Sequence, residues 1–216
     1  MRHESTADPP HESLATRRAR PACAVGVECH SGWAVLVAML LAGEDPEVLW
    51  RGRLLLSEPG DGNRKQPFHA AEAMPLPKAR AFLESCREDA NRRAIAEMAR
   101  VVGALPADAR PQSCAVLTAA GGLRPPPPLE AILASHARIH AAEGDHFRDA
   151  VAEAAKRAGL TVVRIPRKTL RTRASESLGR PAEELDRRLA TMRKTIGAPW
   201  GSDQKLAALA AWTLLG

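Results

Sequence analysis

The chain contains no tyrosine and only three phenylalanines, Phe68, Phe82 and Phe147. Binding modules that stack successive bases on an aromatic platform need several rings, so this composition argues against RRM- and OB-type recognition. Long apolar runs are also missing. The longest, Trp33 to Ala42, falls well short of the roughly 20 residues that span a bilayer, so no membrane association is expected. Met1 to Arg20 has no hydrophobic core, which excludes a secretory signal and predicts a cytoplasmic protein. Cysteine is sparse: Cys23, Cys29, Cys86 and Cys114 form no C-x-x-C pair, so a zinc ribbon is excluded. Reduced thiols acting as small buried hydrophobes are the expectation.

What is present is an ordinary globular balance, 45% apolar and 26% charged, with a net charge of +6. That charge permits a polyanionic partner. The 216 residues suffice for a substantial core without staples. Residues 1–21, with Asp8-Pro9-Pro10 and Arg17, Arg18 and Arg20, read as a flexible basic tail. Residues 22–216 then form a single domain.

Three apolar runs, Cys23–Cys29, Trp33–Leu41 and Val48–Leu56, are separated only by short turn signals. They predict an antiparallel meander. Residues 57–76 read as a loop. From Phe82 the apolar positions Cys86, Ala90, Ile95, Met98 and Val102 mark a helix that starts near Pro77 and ends near Gly103. Ser113–Thr118 is a fourth strand, and its separation from the third by a long helix implies a parallel crossover. Gly121-Gly122 and the prolines 125–128 read as a stiff spacer. Helical segments follow over 129–142 and 145–158, interrupted at Gly144. Thr161–Ile165 is a fifth strand. Arg167–Arg180 reads as basic and irregular. Pro181 opens one helix, and Ser202 caps a last, alanine-rich one. The expected fold is α/β, a mixed five-stranded sheet flanked by helices: a three-strand antiparallel meander, then alternating helix and strand.

Glu28 is a carboxylate in an apolar strand. Either it emerges into water at a sheet edge or it is paired, hydrogen-bonded or metal-bound. Asp203 sits in the first turn of the last helix, where it complements the helix dipole. It also shares a face with Leu206 and Ala210, which directs it toward the sheet. His136, His140 and Glu143 would share a face on one continuous helix, as metal ligands do, or form a solvated helix end. Between Arg164 and Lys194 there are ten basic residues against four acids. This is a concentration suited to backbone phosphates, or a solvated face laced by pairs such as Glu183–Arg187.

The element order, the acidic first strand before Gly32-Trp33-Ala34, and Asp203 opening a helix with Ala207-Ala208 together resemble the ribonuclease H-like superfamily. Within it, the chain looks most like RuvC-type resolvases and related nucleases. The resemblance implies a ribonuclease H-like sheet and a divalent-metal-dependent nuclease using Mg²⁺ or Mn²⁺. Glu28, Asp203 and Glu143 would be the acidic ligands, with His140 as a further ligand or proton shuttle. Lys205 would stabilise phosphate charge. Arg167, Lys168, Arg171, Arg173, Arg187 and Arg188 would contact nucleic acid. The chain departs from the pattern at three places: Glu28 replaces the usual Asp, Thr118 ends the fourth strand where an acid is usual, and Leu206 stands where the last helix often has a second acid. These departures support an alternative, a non-catalytic module of the same fold that binds nucleic acid or a protein. A third class is a hydrolase of a small phosphorylated substrate using His136, His140 and Glu143.

Overall fold

A computed structural model describes residues 22–43, 45–119 and 125–216. The expected basic tail at 1–21 and the Gly121-Gly122 loop lie outside the described residues. Five strands form one sheet: β1 (Cys23–His30), β2 (Trp33–Ala42), β3 (Asp45–Leu55), β4 (Ser113–Thr118) and β5 (Thr161–Pro166). Their spatial order is β3-β2-β1-β4-β5. The first three pair antiparallel, as tight turns dictate, while β4 joins β1 in parallel and β5 joins β4 in parallel. β1 is therefore central. This is the mixed five-stranded α/β sheet of the ribonuclease H-like fold.

The helices are α1 (Gly62–Lys65), α2 (Pro67–Ala71), α3 (Leu76–Ala104), α4 (Leu129–Leu133), α5 (His136–Arg157), α6 (Leu170–Leu178), α7 (Ala182–Ile196) and α8 (Ser202–Thr213). None is long and apolar enough to cross a membrane. Strand alternation divides the core in two. Val25, Val27 and Cys29 of β1 pack with α3 and α5 on one face. On the other face, Val35, Val37 and Met39 of β2 and Leu117 of β4 meet α6, α7 and α8. All four cysteines are free and buried.

The structure corrects four local readings. Residues 57–76 are not simply a loop, because they contain α1 and α2. Asp61 caps α1 by accepting the Arg64 N–H at 3.0 Å, and Pro67 starts α2. Gly144 does not interrupt α5. The helix is held by buried Phe147, Ala150, Val151 and Ala154, and this packing outweighs the roughly 1 kcal/mol helix penalty of a glycine. Arg167–Arg180 is ordered rather than irregular: a 3-10 turn leads into α6, which buries Leu170 and Ala174 four residues apart. Ser202 is the first residue of α8 and not its cap; Gln204 reaches back to accept the Gly201 N–H at 2.9 Å.

The contact that sets the geometry is that of α8 with β1. A Cβ at Gly26 would collide with the Ala207 carbonyl oxygen and the Ala211 amide, both backbone atoms of α8. Ala207, Ala208, Ala210 and Ala211 are fully buried, so the helix lies on the strand with only methyl groups between them. Arg51 of β3 fixes the preceding turn, donating to the carbonyls of Ile196 (2.6 Å), Gly197 (3.1 Å), Ala198 (3.1 Å) and Pro199. Trp200 Nε1 donates to the Leu189 carbonyl at 2.6 Å, tying the start of α8 to α7.

Gly26→Ala should therefore lower unfolding free energy by about 1–3 kcal/mol, the usual cost of overpacking. Gly103→Ala, in open space on α3, should be neutral or stabilising by up to about 1 kcal/mol. Urea titrations of both variants check this. An unchanged midpoint for Gly26→Ala would refute the close approach.

Candidate active site

Glu28 and His30 lie on the same side of β1 as Gly26, because side chains alternate along a strand. That is the side covered by α8. Asp203, in the first turn of α8, is brought to the same end of the strand. The two carboxylates proposed as partners, 175 positions apart in sequence, thus act on one another: the charge of Asp203 helps raise the Glu28 pKa. The larger cause is desolvation, since Glu28 is only 6% exposed. Arg167, His30 and Arg148 oppose the rise, Arg167 most strongly. Arg167, in the turn after β5, donates from Nη1 to Glu28 Oε1 at 3.1 Å. Glu28 Oε2 is buried and accepts no hydrogen bond among the described residues.

His30 completes the cluster. Its Nε2 lies 3.1 Å from Asp203 Oδ2. Its ring stacks on Trp33, its cross-strand neighbour, with centroids 4.1 Å apart and planes 13° apart. The guanidinium of Arg53 lies 4.0 Å from the Trp33 ring centroid on the solvent side. In the sequence, His30 falls within the short turn signal between the first two apolar runs. Its spacing of two from Glu28 was the available signal, since that puts both on one face.

Glu143 and His140 belong elsewhere. Glu143 Oε1 accepts the backbone N–H groups of Phe68 (2.8 Å) and His69 (3.0 Å) and lies 3.2 Å from His69 Nδ1. It caps the N-terminus of α2. His140 Nε2 is 3.0 Å from His136 Nε2, and its ring meets that of His69. The partners the structure gives Glu143 and His140 are thus on α2 and α5 rather than Glu28 or Asp203. Thr118 and Leu206 supply no carboxylate.

Lys205 sits half-buried on α8, two residues beyond Asp203. Of the basic positions, Arg171 pairs with Asp186 at 2.8 Å. Arg188 is held by Glu184 (3.1 Å) and Asp45 (2.8 Å). Lys168, Arg173 and Arg187 are exposed and make no ion pair among the described residues. A separate groove of about 690 Å³ opens beside α5, lined by Arg87, Lys156, Arg157, Arg164 and His146 among others. His146 packs edge-on to Phe68 and Phe147, and burial lowers its pKa to about 4.

Glu28 Oε2 is a buried carboxylate oxygen without a donor, and the charge of Asp203 acts on it; oxygen donors of this kind suit a divalent cation such as Mg²⁺. A metal pair held roughly 3.5–4 Å apart needs more bridging oxygens than these two side chains provide.

Neither protein-family models nor curated proteins match the chain. Among solved structures it is similar to RuvC of T. thermophilus in complex with a Holliday junction substrate. That match has 15% identity and a TM-score of 0.53, and covers 89% of this chain and 91% of the other. A second Thermus thermophilus RuvC structure matches at 14% identity and a TM-score of 0.49, covering 88% and 91%. At such identity the first likeness shows the fold.

The raised Glu28 pKa has a definite sign. The folded state holds this proton more tightly than the unfolded chain, so ionised Glu28 costs stability at neutral pH. The cost disappears as pH falls below the ordinary 4.5. His146 acts in the opposite direction: its contribution is full above 6.5 and is lost as pH falls toward about 4. Glu28→Gln should therefore be more stable than wild type at neutral pH and converge on it in acid. His146→Gln should flatten the acid limb between 6.5 and about 4. Denaturation across this range measures both effects. A Glu28→Gln difference independent of pH would contradict the assignment.

Proposed function

We propose that the chain is a nucleic-acid-directed phosphodiester hydrolase of ribonuclease H-like fold, with a reduced acidic centre on Glu28 and Asp203. The observation that carries this is the buried, unpartnered Glu28 Oε2 at the end of the central strand, beside a second carboxylate from α8. Glu28 and Asp203 would hold one Mg²⁺ or Mn²⁺. When bound, such an ion polarises a phosphoryl oxygen and lowers the pKa of water. The side chains around it have separate tasks. Asp203 beside Nε2 and stacking on Trp33 restrict the His30 ring. The opposite nitrogen, Nδ1, would then exchange a proton with the attacking water or the leaving oxygen. Lys205 offsets phosphate charge. Arg167, 52% exposed, can trade Glu28 for a backbone phosphate, which frees Oε1 when substrate arrives. Lys168, Arg173 and Arg187 neutralise the phosphates beyond. The structural neighbour bound to a Holliday junction supports branched DNA as the first substrate to test.

One observation favours a second reading. In the substrate-free chain the strongest counter-charge on Glu28 is Arg167, which does without a metal what a metal would do. With Thr118 and Leu206 in place of acids, the same fold could bind nucleic acid without cutting it.

The two readings separate by experiment. Metal-stripped protein is assayed on four-way junctions, duplex DNA and RNA with added Mg²⁺ or Mn²⁺. The hydrolase reading expects cleavage that requires metal and is lost in Asp203→Asn and Glu28→Gln. Lys168→Ala and Arg173→Ala should each reduce the slope of log affinity against log salt by about 0.7–0.9. Salt-dependent binding without cleavage selects the second reading. Absence of binding at low salt would overturn both.

A further inference from the structure

Three histidines from two distant segments converge away from Glu28. His69 lies on α2, and His136 and His140 are four apart at the start of α5. One ring nitrogen from each lies within 4.8 Å of the others. His136 Nε2 and His140 Nε2 are 3.0 Å apart. The His69 ring centroid is 5.5 Å from that of His136 and 4.8 Å from that of His140. Bonds of about 2.0–2.1 Å to zinc in tetrahedral geometry place nitrogens about 3.4 Å apart. The cluster reaches that spacing by small rotations of His136 and His140, both exposed.

A metal-ligating imidazole normally donates its other N–H to a carboxylate, which fixes the tautomer and the ring. Glu143 stands in that position. It is only 4% exposed. Its Oε1, 3.2 Å from His69 Nδ1, is held by two backbone N–H groups, and its Oε2 is buried without a partner. Two imidazoles with nitrogens 3.0 Å apart need a proton or an ion between them, and an N3 set suits a borderline transition metal rather than Mg²⁺ or Ca²⁺.

We infer that His69, His136 and His140 bind one Zn²⁺ ion, with Glu143 as the positioning residue and water in the fourth position. The ion ties α2 to the first turns of α5. Zinc bound here adds a tie between two segments already joined by the hydrogen bonds to Glu143 and by Phe68 packed on Ile139 and Ala142, so binding stabilises the folded chain. This site is independent of the hydrolase reading.

The test uses the full, untagged chain after chelator treatment. Isothermal titration with Zn²⁺, and Co²⁺ titration followed by visible absorption, should each show one tight site per chain, distinct from any weaker binding at Glu28 and Asp203. Its dissociation constant should be micromolar or tighter, and the Co²⁺ spectrum should have tetrahedral intensity. His140→Ala removes an exposed side chain, so the fold survives. It should weaken Zn²⁺ binding at least tenfold and abolish the zinc-induced rise in melting temperature. His136→Ala and His69→Ala should do the same. Glu143→Gln should retain a single site weakened about 10–100-fold, the usual effect of losing an orienting carboxylate. Glu28→Gln and Asp203→Asn should bind Zn²⁺ as wild type does. Wild-type affinity in His140→Ala would overturn the site. So would binding lost in Glu28→Gln or Asp203→Asn but kept in the histidine variants.

Discussion

The close approach of α8 to β1 governs most of what this molecule presents to a ligand. Backbone meets backbone at Gly26 because the strand has no side chain there and the helix opposes it with alanines. A helix lying this near a strand cannot rotate or slide without driving its carbonyls into the sheet. The first turn of α8 is therefore placed over the end of β1, and Asp203 over His30 and Glu28. The turn before α8 is fixed too, by the Arg51 guanidinium on four carbonyls and by the indole of Trp200. The position of one carboxylate is thus determined by small residues that never touch it.

Placing a second negative charge near a buried glutamate is costly, and the fold offsets it with basic side chains from three elements. Arg167 comes from the turn after β5, His30 from β1 itself and Arg148 from α5. These contributions differ in kind. His30 is held by stacking and lies beside Asp203, so it stays with the pair. Arg167 is half in water, and its ion pair is one that a phosphate could replace at little cost in desolvation. Under the proposed function, cutting and non-cutting readings differ in which positive group would sit on Glu28 once nucleic acid binds.

Much of the sheet was legible in the sequence because strands declare themselves locally. Cys23–His30, Trp33–Ala42 and Ser113–Thr118 are apolar runs between turn residues, and the crossover rule then fixes β4 beside β1. Glu28 and Asp203 were legible for the same reason, as charges set against apolar patterns. What escaped depends on contacts far along the chain. α2 is too short to form on its own, and its N-terminal amides are satisfied by Glu143, 74 and 75 residues away. His69 gave no sign of belonging with His136, since nothing in either segment refers to the other. α6 was obscured by its arginines, although Leu170 and Ala174 already had helical spacing. Glu143 was read as a ligand because its distance from His140 is helical. The fold uses it instead to hold the backbone of another element.

The continuity of α5 through Gly144 links these features. Had the helix broken there, its first two turns could have settled independently of the rest. Instead one rigid rod carries His136, His140 and Glu143 against α2. One turn on, it carries Phe147 into the core and Arg148 toward the charge field of Glu28. Gly144 has its own part in this. A Cβ at that position would run into the Arg148 guanidinium, which folds back along the helix with Nη1 3.6 Å from Asp145 Oδ1. The glycine that costs helix propensity therefore makes room for the cation whose charge helps keep Glu28 ionised. The histidine cluster and the acidic pair share no residue, yet both are referred to the same helix. A displacement of α5 along its axis would alter the two together.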